Sequence, residues 1–137
     1  MTRGRSIVIA NLPWAPILNF PERWDSFMPS YLLQTSYTQE ALNTLIKKPQ
    51  DRTEMVRKAI EKLGGKLVGF WLSFGEHDIV CVIEMPNNVS AAAMALAVGG
   101  GGAVTKTLTT PLLTVEEGMA ALKKAGTSGY TPLTAAK

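Results

Sequence analysis

A chain of 137 residues suits one compact domain and is too short for two independent cores. Hydrophobic residues at 46% and charged ones at 18% exclude a disordered polypeptide. The formal charge of +3 is scattered among acids, as at Asp51-Arg52 and Glu61-Lys62, and forms no basic stripe for nucleic acid.

One cysteine, Cys81, excludes an internal disulfide, and its neighbours Val80 and Val82 mark it as a small buried hydrophobe. No run approaches the roughly 18 apolar residues of a membrane span. Arg3 and Arg5 before Ile7-Val8-Ile9-Ala10 imitate a secretion signal, but Asn11, Pro13, Pro16 and Asn19 break the apolar run. Residues 1–27 therefore read as an extension carrying Trp14 and Trp24, able to lie across a surface or a partner. Met28 then opens the compact domain, and the expected location is the cytoplasm.

Residues 30–37 are strand-like by composition. Thr38 can cap a helix whose stripe is Ala41, Leu42, Leu45 and Ile46. Pro49 should interrupt it, because proline lacks an amide hydrogen and restricts Lys48 before it. The helix resumes near Gln50 with Met55, Val56, Ile60 and Leu63 on one side, and Gly64 stops it in the left-handed conformation.

A hairpin follows: strand 66–74, a tight turn at Gly75-Glu76 in which Gly75 takes a positive φ, and strand 77–84. Pro86-Asn87-Asn88 ends it, and Ser90 or Asn88 can cap a short helix over 91–98 whose alanines imply close approach to a sheet. Residues 99–102, all glycine, connect to a strand over 103–110, where Thr105, Thr107 and Thr109 alternate with Val104, Lys106 and Leu108. The last helix begins at a capping box, Thr114-Val115-Glu116-Glu117, and ends with Lys123-Lys124 before Gly126. Residues 126–137 read as a tail.

The order is an α+β, ferredoxin-like βαββαβ sandwich with an added C-terminal helix. Helices on one side of an antiparallel sheet leave the other side bare, and an apolar bare side must be buried by a partner or by the extension. With the turn at Gly75-Glu76, Phe74 pairs with His77 and Trp71 with Val80. Leu67, Gly69, Trp71, Ser73, Asp78, Val80, Val82 and Glu84 then share the bare face. Val68, Phe70, Leu72, Phe74, Ile79, Cys81, Ile83 and Met85 lie under the helices.

The same alternation weakens a catalytic reading of the turn motif Gly75, Glu76, His77 and Asp78, since neighbouring strand residues project to opposite sides. Asp78 and Glu84 are separated by roughly 20 Å at about 3.3 Å per residue, too far for a carboxylate pair. His77 and Cys81, roughly 13 Å apart, cannot share a metal ion. The glycine run precedes a strand instead of a helix and lacks the Gly-Lys-Ser/Thr ending of a phosphate loop. Ser73 has no evident base. The residues point to no cofactor and no metal.

Gly64-Gly65-Lys66-Leu67-Val68-Gly69-Phe70-Trp71 followed by Phe74-Gly75-Glu76-His77-Asp78-Ile79-Val80 resembles the GYD-domain family, small bacterial proteins named for a Gly-x-Tyr-Asp motif in this turn. Met28-Pro29-Ser30-Tyr31 is similar to the family start, and residues 102–109 to its closing strand. His77 stands where the family name expects tyrosine. The resemblance covers about residues 28–124 and implies a relative of the dimeric α/β barrels, with no general activity attached.

The domain is accordingly expected to span 28–125 and to be a homo-oligomeric binding or regulatory module, with a small-molecule ligand allowed and neither nucleic acid nor membrane as partner. An alternative by fold analogy is a cofactor-independent oxygenase or isomerase with Tyr37, Trp71, Ser73, Asp78 and Glu84 lining a cavity. A third is a structural protein tied into a larger assembly by the extension.

Overall fold

A computed structural model describes residues 27–135. The expectations for residues 1–26, including the secretion-signal imitation and the extension, lie outside them.

Strand β1 (Ser30–Tyr37) leads into α1 (Gln39–Lys47) and α2 (Thr53–Lys62). The hairpin strands β2 (Lys66–Leu72) and β3 (Ile79–Glu84) follow, then α3 (Asn88–Gly100), β4 (Val104–Leu112) and α4 (Val115–Ala125). The sheet order is β2-β3-β1-β4, every neighbouring pair antiparallel. This is the ferredoxin-like arrangement, with a sheet that stays open in the single chain.

Local chemistry sets the boundaries. The Thr38 hydroxyl accepts the Ala41 amide at 3.1 Å and starts α1. Pro49 falls in the break between α1 and α2, and α2 resumes at Thr53, later than Gln50, because the Asp51 carboxylate accepts the Thr53 amide at 2.8 Å. Gly64 ends α2 with φ +83°. Asn87, and neither Asn88 nor Ser90, caps α3 by accepting the Ser90 amide. The glycine run belongs largely to that helix: Gly99 and Gly100 are helical, Gly101 closes the end, and Gly102 turns the chain at φ +79°. The Thr114–Glu117 capping box forms in both directions.

The core lies between the sheet and the inner faces of α2 and α3. Tyr31 and Leu33 of β1, Cys81 and Ile83 of β3, Ile60 of α2 and Met94 of α3 are buried together with Met85. Each large apolar side chain so buried contributes about 1.5–3 kcal/mol.

The hairpin departs from simple alternation in two places. A bulge at Val68 puts Leu67 opposite Ile83 but Gly69 opposite Val82. The extra residue reverses the facing of everything before it, so Leu67 enters the core instead of the bare face, and Val68 is exposed. Beyond the bulge the expected pairing holds, with Trp71 opposite Val80. The connection, moreover, is a six-residue loop, 73–78, and not a two-residue turn. Gly75 is absent from the positive-φ glycines. Phe74 does not pair with His77 or lie under the helices: it stands fully exposed, while His77 is buried.

Candidate functional site

The uncovered side of the sheet carries Leu32 and Gln34 from β1, Trp71 from β2, Val80 and Val82 from β3, and Leu108 from β4, placed in rows by the strand registers. Trp71 is 55% exposed. Its indole lies over Gly69, where a Cβ would collide with the ring, so the glycine provides the flat seat that spreads the indole along the strand. Lys66 and Glu84 are cross-strand partners at one end of this face, and Lys106 stands at the other.

Loop 73–78 folds over the second end. The Ser36 hydroxyl donates to the Glu76 carbonyl at 3.1 Å and lies 3.3 Å from His77 Nδ1. The Ser73 hydroxyl donates to the His77 carbonyl. Glu76 reaches Lys106 of β4 at 3.8 Å, an exposed pair that adds little stability. Asp78 anchors the loop twice: its amide donates to the Thr35 carbonyl at 2.9 Å, and its carboxylate accepts the Tyr37 amide at 2.8 Å.

The five residues expected around one cavity therefore occupy three places. Trp71 and Glu84 lie on the bare face, and Ser73 and Asp78 build the loop. Tyr37 sits across a register shift at the end of β1 and lines a groove on the helix side with Leu45 and Arg52. Desolvation raises the Tyr37 phenol above its ordinary pKa, with the Arg52 charge opposing and the Asp78 charge adding to the shift. Burial likewise pushes the Cys81 thiol up to about 11, which leaves it neutral and unreactive at ordinary pH. Among the described residues no three His, Cys, Asp or Glu side chains gather as metal ligands, and no helix is long and apolar enough to cross a membrane.

Two features were not read from the sequence. Phe74 projects from the loop because six residues, not two, join the strands. Arg52 reads as one of a scattered set of charges, yet the Pro49 break brings it back beside the end of β1. That break was the signal available for it.

An open antiparallel sheet with α2 and α3 packed on one side and an aromatic laid flat on the other defines a small ferredoxin-like module. The chain belongs to the GYD domain family, whose model matches residues 31–122. It is similar to a Thermus thermophilus protein named glutamine synthetase and cystathionine beta-lyase binding protein, 27% identical over 96 residues that cover 70% of this chain and 100% of the relative.

Proposed function

We propose that the protein is a homo-oligomeric binding module that regulates other proteins by docking to them, and that a second copy of the chain covers its bare sheet face. The half-exposed Trp71 seated on Gly69 carries the reading. A large aromatic spread over apolar neighbours in water is unfavourable, and Trp is among the residues most enriched at interface centres.

The face suits a second copy in particular. Its centre is apolar and its ends carry both signs of charge, Glu84 beside Lys66 at one and Lys106 at the other, so a two-fold can make it self-complementary. Strands about 4.8 Å apart and roughly 20 Å long give it an area of about 400 Å², half of the ~800 Å² per partner that a standard interface buries. The remaining area must come from surfaces beyond the sheet, among which Val115, Met119 and Leu122 form an apolar stripe on α4 that is exposed in the single chain.

The relative's name supports the docking part of the reading and nominates glutamine synthetase and cystathionine beta-lyase as the first proteins to titrate. Light scattering tests the assembly: the full chain should be a dimer or larger, and Trp71→Glu a folded monomer. Calorimetry with either enzyme should then detect binding by the assembled form. A monomeric wild-type chain would overturn the assembly, and silence with both enzymes would remove the support drawn from the relative.

A further inference from the structure

On the helix side, away from the face assigned to the second copy, two lobes of one groove meet at Tyr37, Leu45, Gln50 and Arg52. One lobe, ≈ 350 Å³, runs along the start of α1 past Glu40 to the turn after α3. The other, ≈ 410 Å³, runs under the α1–α2 break to Phe70 and Leu72. Either volume falls within the range of small-ligand sites, about 300–1,000 Å³.

The chemistry of the lining is divided. Arg52 presents a guanidinium at the junction, where its Nη1 donates to Gln50 Oε1 at 3.1 Å. The Tyr37 phenol is a donor at the same junction. Glu40, an acid, lines only the first lobe, and the apolar Phe70 and Leu72 line only the second, so the two lobes differ in character. Among the described residues neither Arg52 nor Glu40 enters an ion pair, although they line the same lobe. Opposite charges that share a groove without joining leave room for a ligand that carries both.

We propose that this groove binds a free α-amino acid with an apolar or aromatic side chain. Its carboxylate pairs with Arg52 and accepts from the Tyr37 hydroxyl, its ammonium faces Glu40, and its side chain enters the second lobe against Leu45, Phe70 and Leu72. A guanidinium matches a carboxylate in a planar two-point contact that lysine does not provide. Asp51 also borders the second lobe, but its carboxylate accepts the Thr53 amide, so Glu40 is the better placed acid for the ammonium. The site does not depend on the assembly, since none of its residues lies on the bare face.

The test is amide chemical-shift mapping of the full chain with L-phenylalanine, 3-phenylpropionate, which lacks the ammonium, and phenethylamine, which lacks the carboxylate. L-phenylalanine should shift the amides around Tyr37, Arg52 and Gly102, and each truncated probe should bind at least about tenfold more weakly. Arg52→Gln should weaken L-phenylalanine by a similar factor, and Trp71→Glu should leave it unchanged. Equal binding of 3-phenylpropionate would overturn the amino-acid assignment. No localised shift with any probe, or full binding by a folded Arg52→Gln, would overturn the site. Should Arg52→Gln fail to fold, the comparison of the three probes on the wild-type chain decides alone.

Discussion

The Asp78 carboxylate accepts the Tyr37 amide just past Thr35 and Ile79, the last pair of the β1–β3 ladder, so one side chain satisfies a backbone donor beyond the end of that ladder. Asp78→Ala removes that acceptor and should cost about 1–3 kcal/mol, read as a lower urea midpoint. Asp78→Asn keeps a carbonyl acceptor and should lose less. Equal stability of all three proteins would show that water replaces the contact without loss. Glu76, His77 and Asp78 look like an acid-base cluster in the sequence because adjacency along the chain conceals direction. In the structure the three are separated in role, with Glu76 toward Lys106, His77 beside Ser36, and Asp78 on the backbone of β1.

At the scale of elements, α4 is well made and badly housed. Its N-terminus carries the complete capping box, yet none of its residues is buried, and Val115, Met119 and Leu122 face solvent. Truncation after Leu112 should therefore leave the far-UV spectrum of the sheet and the first three helices intact while weakening association at least about tenfold, measured by sedimentation. Loss of the whole fold on truncation would mean that α4 supports its own chain.

Strand β1, the Pro49 break, the Gly64 stop and the α4 cap were legible because each rests on local chemistry. The bulge was not, since Val68 is an ordinary strand residue by type and becomes an extra one only when β3 fixes the register. The loop length was obscured for a related reason: Phe74 has strand composition, but Ser73 and Asp78 close the connection through bonds to each other and to β1.

For the molecule as a whole, one layer of helices over one sheet leaves the hydrophobic residues of the other sheet face outside the core. If a second copy covers that face, unfolding and dissociation are coupled, and the thermal midpoint must depend on protein concentration. The midpoint should rise by several degrees over a hundredfold increase in concentration. In Trp71→Glu it should be lower and independent of concentration. A wild-type midpoint that does not move would separate the stability of the chain from any association.

The kink that Val68 puts into β2 has a further effect at the rim of the sheet. β2 and β4 are the outermost strands, and such rails invite foreign strands to extend the ladder. On β2 the kink spoils the straight run of peptide groups that an incoming strand would need. On β4 Pro111 has no hydrogen to donate to one. With both flanks blunted, runaway fibril growth by lateral accretion is discouraged, even for a molecule that displays so much oily surface.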